Sequence, residues 1–295
     1  MRPLRGRVQL IFTSPPFPLN NKKRYGNLQG EAYLQWLVGF GPLFRDLLAP
    51  DGSIVIELGN SWEPGLPVMS TLALRALLRF QEQNGLHLCQ EIICHNPARL
   101  PSPAQWVTIE RIRLKDSFTR LWWLALNPRP KARNRNVLTE YSASMKRLLA
   151  TKKFNAGHRP SQHCVSEGAF AVDHGGAIAP SVLQIANTSA SDEYQRYCRA
   201  HGIQCHPARM PMDLPEFFIR FLTDPGDLVL DPFAGSNTTG AAAERLRRHW
   251  IGVEPTPEYI WGSVGRFGSG VTTAVGDSIG QLRATAQAGA EGVAG

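Results

Sequence analysis

The chain of 295 residues has no apolar run approaching the roughly 18 residues that a membrane helix needs, so no span is expected. Met1 to Arg7 is basic, but the apolar stretch behind it is short and stops at Pro15-Pro16, so no signal peptide is expected. Its five cysteines, Cys89, Cys94, Cys164, Cys198 and Cys205, form no even framework. A disulfide-stapled fold is therefore excluded and a reducing, bacterial-type cytoplasm is expected. Cys198-x2-His201-x3-Cys205-His206 carries ligand-type residues, but the spacing is unlike the common zinc patterns and no second cysteine pair accompanies it, so no metal is expected. Neither a Gly-x-Gly-x-x-Gly turn nor a Gly-x4-Gly-Lys-Ser/Thr loop occurs. That weakens a dinucleotide and a nucleoside triphosphate as ligands.

Acid is scarce in one segment. From Asn127 to Pro160 there are nine basic residues and one acid, Glu140, an excess of +8 that equals the net charge of the whole chain. A solvated face explains most charge runs, but concentration of the whole excess in one segment favours a surface that meets a polyanion. The hydrophobic fraction is 43%, enough at this length to bury a substantial core.

Two turns carry the chemistry. Asp227-Leu-Val-Leu230 reads as a strand, Asp231-Pro232-Phe233-Ala234-Gly235 as a tight turn, and Ala241 to Arg248 as a helix. Such a turn aims backbone N–H groups and a positive helix end at whatever lies above the strand. Ser236, Asn237 and Thr238 are the N-cap candidates. At the other end, Val8-Gln-Leu-Ile-Phe12 reads as a buried parallel strand that runs into Ser14-Pro15-Pro16-Phe17. Two prolines stiffen that turn and remove two donors, leaving carbonyls free to accept. Between the turns the pattern predicts a helix from Glu31 to Leu48, kinked near Gly39 and Gly41-Pro42, a strand at Ser53–Glu57 and a helix at Thr71–Gln83. A strand at Leu86–Cys94 follows, and one at Phe118–Leu126 that closes this half of the sheet. Later come a helix at Pro215–Leu222, a strand at Trp250–Glu254 and a helix at Pro257–Phe267. Alternating strands and helices imply an α/β fold with a mainly parallel sheet. An acid ending the second strand of such a unit, Glu254, is placed to accept from a ribose diol.

The two turns together resemble the amino-methyltransferases of DNA, and their order, catalytic turn early and cofactor turn late, resembles the beta group of that family. Thr13-Ser-Pro-Pro-Phe17, Lys22-Lys-x-Tyr-Gly-Asn27, Leu100-Pro-Ser-Pro103, Arg113-x-Lys-Asp116, Trp122-Trp123, His206-Pro-Ala-Arg209 and Gly235-Ser-Asn-Thr-Thr-Gly240 are similar to the PvuII-type cytosine-N4 methyltransferases. The resemblance covers nearly the whole chain. It implies a Rossmann-like, S-adenosylmethionine-dependent sheet flanked by helices, with an inserted target-recognition module. The implied layout is a catalytic half at 1–126, a target-recognition region at 127–205, a cofactor half at 206–285 and a flexible tail at 286–295. Gly276-Asp277-Ser278 is similar to a turn that precedes the catalytic strand in that type, so the chain looks circularly permuted relative to it.

By that resemblance Asp231, Pro232, Phe233, Ala234, Gly235, Ser236, Asn237 and Thr238 line S-adenosylmethionine, Glu254 holds its ribose and Asp277 meets its adenine. Ser14 and the carbonyl of Pro15 accept from the target amine, Pro16 stiffens the turn, and Phe17 stacks on a base taken out of the duplex. Lys22, Lys23, Arg24, Arg129, Lys131, Arg133, Arg135, Lys152 and Lys153 are the candidate DNA contacts. No Pro-Cys dipeptide occurs, so carbon-5 methylation through a cysteine has no visible nucleophile. The expected function is site-specific cytosine-N4 methylation of double-stranded DNA, as the protective half of a restriction–modification system with an endonuclease as functional partner. Adenine-N6 methylation, where the turn usually begins with Asp or Asn, is the near alternative. A catalytically silent DNA-binding protein and an RNA or small-molecule methyltransferase are the others.

Overall fold

The structure is a computed structural model that describes residues 4–18, 28–153, 157–158, 160–162, 164–166, 172–188 and 192–267. Its first strand, β1 (Val8–Thr13), is buried at all six positions, with its two polar side chains satisfied, Gln9 on the Asp51 carbonyl at 3.1 Å and Thr13 on Asp231 at 2.8 Å. Helices α1 (Gly30–Val38) and α2 (Gly41–Leu47) follow, then the long strand β2 (Leu48–Gly59). The expected single helix over Glu31–Leu48 is thus two. Pro42 stands at the start of α2, where its missing N–H costs nothing but breaks continuity with α1. Asn84 fills the joint, donating to the Val38 carbonyl at 3.3 Å while its side chain lies where a Cβ on Gly41 would sit.

A two-strand ribbon, β3 (Ser61–Trp62) with β4 (Met69–Ser70), precedes α3 (Leu72–Gln83) and β5 (His87–His95). A loop then leads to β6 (Phe118–Ala125). Helix α4 (Ala143–Thr151), the ribbon β7 (Gly157–His158) with β8 (Cys164–Val165), strand β9 (Val182–Gln184) and α5 (Glu193–Ala200) make up the middle segment. The last part runs α6 (Asp213–Leu222), β10 (Leu228–Asp231), α7 (Thr238–Arg245), β11 (His249–Gly252) and α8 (Pro257–Ser263).

Seven strands form one sheet in the order β11-β10-β1-β2-β6-β5-β9. Every neighbouring pair is parallel except those of β6, which runs antiparallel to both β2 and β5. Strand β6 was expected to close its half of the sheet and instead lies inside it. The chain returns from β5 to β6 without a crossover helix, so β6 must reverse direction, and the same loop lets it slot between β2 and β5. Apolar side chains alternate across the sheet: Trp122 and Leu124 pack under α1, α2 and α3, while Leu121 and Trp123 pack under α6 and α7.

The middle segment is not cleanly set apart from this body. Strand β9 extends the sheet beside β5 with Leu183 buried, and Tyr194 and Cys198 of α5 are fully buried next to α8. Apolar residues inside the segment draw its ends onto the sheet domain, so the layout at 127–205 includes residues that belong to the core. Among the described residues no helix is long and apolar enough to cross a membrane.

Candidate active site

Four parallel strands, β11, β10, β1 and β2, point their carboxyl ends at one place, where ligands of open α/β sheets bind. At the end of β10 the Asp231 carboxylate is enclosed. One oxygen accepts from Thr13 Oγ1 at 2.8 Å and from the Phe233 N–H at 3.0 Å, the other from Thr239 Oγ1 at 2.6 Å. Burial raises its pKa to about 6, with these three hydrogen bonds opposing the rise and Glu254 adding to it. Asp231 therefore welds the two key turns together, since Thr13 immediately precedes Ser14.

The chain next turns at Gly235, whose φ of 51° lies in the left-handed region. A side chain there would also begin 3.1 Å from the His206 ring. Asn237 adopts a φ of 53° and caps α7, its side chain accepting from the Gly240 N–H at 3.1 Å. Glu254, two residues beyond β11, clasps the turn from the side. One of its oxygens accepts from the Gly235 N–H at 3.0 Å and the other from the Thr256 N–H at 2.9 Å. Behind the turn, the Arg266 guanidinium donates to the Ser236 carbonyl at 2.6 Å and to Ser236 Oγ at 3.0 Å. Arg266 also pairs with Asp192 at 3.6 Å and lies over the Tyr194 ring at 4.8 Å.

Ser14-Pro15-Pro16-Phe17 leaves the end of β1 beside this. The Tyr33 hydroxyl of α1 donates to the Pro16 carbonyl at 3.0 Å, fixing the turn. Phe17 rests directly on Gly59, where a Cβ would stand 2.5 Å from the ring. Phe233 is held by Trp36 and Phe40, with ring centroids at 5.4 Å and 5.2 Å. Glu57, near the end of β2, takes a hydrogen bond from Thr119 Oγ1 at 2.7 Å, and the Ser14 hydroxyl is close enough to favour its charged form. Burial raises its pKa, and the two hydroxyls and the Arg99 charge oppose that rise. The neighbouring Cys94 thiol is pushed up to about 12 by burial and by the Glu57 carboxylate. It stays protonated at neutral pH and is no nucleophile.

These groups enclose a cavity of about 930 Å³. Ser14, Pro15, Pro16 and Phe17 line it on one side, and Asp231, Phe233, Ala234, Gly235, Ser236, Thr238 and Glu254 on the other. Pro232 and Asn237 are absent from the lining, and the Asn237 side chain is spent on the helix cap. Asp277 lies outside the described residues, as do Lys22, Lys23 and Arg24. Arg129, Lys131, Arg133, Arg135, Lys152 and Lys153 do not line the cavity. Lys131 pairs with Asp227 at 2.9 Å and Asp224 at 3.5 Å, and Arg133 with Asp224 at 3.5 Å. Those acids precede β10, at the pole opposite its Asp231 end. Among the described residues no three His, Cys, Asp or Glu side chains converge as a metal site. His201 instead stacks on Tyr197 with its Nδ1 at 2.9 Å from the Tyr197 carbonyl.

Sequence reasoning missed Tyr33, Glu57, Thr119 and Arg266. For Glu57 a signal existed: it is an acid ending an apolar strand, the same feature that singled out Glu254. Tyr33 read as part of an apolar helix face, and nothing local marks Thr119 or Arg266.

The sequence profile of the DNA methylase family matches residues 8–263. The chain is 43% identical over 262 residues to the type II methyltransferase M.PvuII of Proteus hauseri, an alignment covering 88% of this chain and 78% of that one. It is 24% identical over 263 residues to the type II methyltransferase M.BglII of Bacillus subtilis, covering 86% of this chain and 61% of the relative. Among solved structures, the cytosine-N4-specific PvuII DNA methyltransferase matches with a TM-score of 0.71 and 38% identity, covering 90% of this chain and 81% of that one.

Proposed function

The chain belongs to the DNA methylase family, and we propose that it methylates the exocyclic N4 amine of cytosine in double-stranded DNA, with S-adenosylmethionine as methyl donor. The observation that carries this is one cavity with Ser14-Pro15-Pro16-Phe17 on one wall and the Asp231 turn with Glu254 on the other. The matched PvuII structure is described as cytosine-N4-specific, and Ser14 heads the turn where adenine-directed relatives usually carry Asp or Asn. We further propose that it is the modification half of a restriction–modification system, working in a bacterial-type cytoplasm beside a cognate endonuclease. The circular permutation stays a proposal of the same kind, because Gly276-Asp277-Ser278 lies outside the described residues.

The residues present fit the cofactor. A left-handed Gly235 keeps its surface free of a side chain, the N-terminus of α7 faces the cavity through Thr238, and Glu254 has a carboxylate in the lining. When bound, S-adenosylmethionine supplies an electrophilic sulfonium methyl. Phe233, Gly235, Ser236 and Thr238 would hold it and Glu254 its ribose.

On the other wall the work is to make a poor nucleophile adequate. The cytosine amine delocalises its lone pair into the ring, so acceptors for its N–H hydrogens favour a pyramidal, nucleophilic nitrogen. The Ser14 hydroxyl is close enough to Glu57 to favour its charged form, and in the proposed reaction it turns its proton to that carboxylate, which leaves its oxygen lone pairs to accept from the amine. The Pro15 carbonyl is the second acceptor, and Tyr33 anchors the turn through Pro16. As the amine loses a proton to Ser14 Oγ, Ser14 passes its own proton to Glu57, a carboxylate whose raised proton affinity suits it to end the relay. Phe17 stacks on the extruded base and orients it, so position and electrostatics supply most of the rate.

The test is incubation with tritium-labelled S-adenosylmethionine and unmethylated duplex DNA, followed by digestion to nucleosides. Label in N4-methylcytosine is expected. Label in N6-methyladenine would overturn the choice of base, and absence of label from every duplex would overturn DNA methylation itself.

A further inference from the structure

The cavity opens beside the connection from β5 to β6, residues 96–117, which the reaction outlined above does not use. Asn96 and Arg99, at its β5 end, line the cavity. The loop is built, not slack. Asn96 N–H to Ser117 carbonyl closes its neck at 2.8 Å, Asp116 N–H reaches the Ser102 carbonyl at 2.9 Å, and Ile112 N–H the Trp106 carbonyl at 2.9 Å. Asn60 from the end of β2 donates to Asp116 at 2.7 Å, and Arg113 Nε donates to the Pro67 carbonyl at 2.9 Å.

This ordered scaffold displays apolar tips in water: Leu114 is 90% exposed, Leu100 80% and Ile109 69%. Holding large aliphatic groups out from a rigid loop is unfavourable unless something covers them. The stretch Arg111-Ile112-Arg113-Leu114-Lys115 alternates cation with aliphatic, and all five residues are exposed. Arg113 and Lys115 make their hydrogen bonds to backbone carbonyls, and among the described residues neither pairs with a carboxylate. A second protein copy would suit the aliphatic groups alone; an anionic membrane would suit both, but the loop is rooted at the cavity where the proposed reaction places a base. Alternating cations on a loop rooted at the cavity suit a duplex, whose phosphates take the charges and whose base steps take the apolar wedges.

We propose that the 96–117 loop is a DNA wedge: Leu114 and Leu100 enter the base stack at the target step, filling the space left by the extruded base, while Arg111, Arg113 and Lys115 grip the flanking phosphates. The inference rests on the proposed action on duplex DNA.

The test uses the full chain with L100S/L114S substitutions, plasmid DNA and tritiated S-adenosylmethionine. A loss of about tenfold or more in kcat/KM for DNA is expected, since a wedge offsets unstacking worth a few kcal/mol. The KM for S-adenosylmethionine and the Tm should stay at wild-type values. In parallel, p-benzoylphenylalanine in place of Leu114 should photocrosslink to the plasmid, and the same group in place of Leu78, exposed on α3, should not. Wild-type methylation by L100S/L114S, or only protein–protein adducts from position 114, would overturn the wedge. If the wild-type protein labels no duplex, the proposed reaction fails instead, and the crosslink still decides whether this loop meets DNA.

Discussion

At the scale of single residues, Glu57 carries opposite pH signatures in stability and in the proposed reaction. Folding raises its pKa through burial. The folded chain thus binds this proton more readily than the unfolded one, so its contribution to stability is fullest at low pH and declines as pH rises through the raised pKa. Activity has the opposite sign, because only the carboxylate can accept the relayed proton. E57Q should therefore lower kcat by about a hundredfold or more, abolish the acid limb of the pH–rate profile and raise the Tm at pH 8. A wild-type acid limb in E57Q would remove Glu57 from the relay. A second residue is defined by what it lacks. Gly59 supports Phe17, and a Cβ there would lie 2.5 Å from the ring, so G59A must tilt Phe17. Its expected signature is a higher KM for DNA with S-adenosylmethionine affinity unchanged, measured by steady-state kinetics and titration calorimetry. The placement of Ser14, Phe17 and Glu254 at one cavity was legible in the sequence because turn chemistry and strand-end position are local. Thr119 and Arg266 were not, because their partners Glu57 and Ser236 stand 62 and 30 positions away and nothing local announces the pairing.

At the scale of elements, the strand–turn–helix unit of β10 and α7 was the clearest part of the sequence, and the reason is physical. A short apolar strand, a glycine at positive φ and a side-chain cap are each dictated by neighbouring residues. Of the three cap candidates the structure uses Asn237, the one whose side chain suits the left-handed conformation found there. N237A should destabilise the protein by about 2 kcal/mol, combining a lost cap with left-handed strain, as read from urea denaturation. The KM for S-adenosylmethionine should rise too, because the turn closes through Asn237 N–H on the Ala234 carbonyl at 2.7 Å with φ at 53°, a conformation that alanine resists. N237G should recover part of the stability and none of the cap. The placement of β6 inside the sheet was less legible. Period and apolar content mark Phe118–Leu126 as a strand, but strand order depends on how the 96–117 loop returns, which no local pattern records.

At the scale of the whole molecule, counting charge and locating charge are different problems. The basic excess between Asn127 and Pro160 was read as a DNA-facing surface, yet Lys131 and Arg133 reach acids just before β10, at the far pole from the cavity. The backbone there is docked as well, with Lys131 N–H on the Asp51 carbonyl at 2.9 Å and Arg133 N–H on the Phe221 carbonyl at 2.8 Å. Those partners lie 80 residues before and 88 residues after in the chain, so a run of like charge could not reveal that it fastens the start of the middle segment to β2 and α6. The consequence is testable through salt. If a cation contacts phosphate, its removal lowers the slope of log K against log salt by about one. The double variant K131Q/R133Q should leave that slope, and DNA affinity at fixed salt, at wild-type values. It should cost about 1 kcal/mol or less of stability, since Arg133 is largely exposed and only Lys131 is partly sheltered. A slope reduced by nearly two would mean that the ion pairs open and this pole does meet DNA. An unchanged slope would leave the cavity end, with Arg111, Arg113 and Lys115, as the face where the duplex is held.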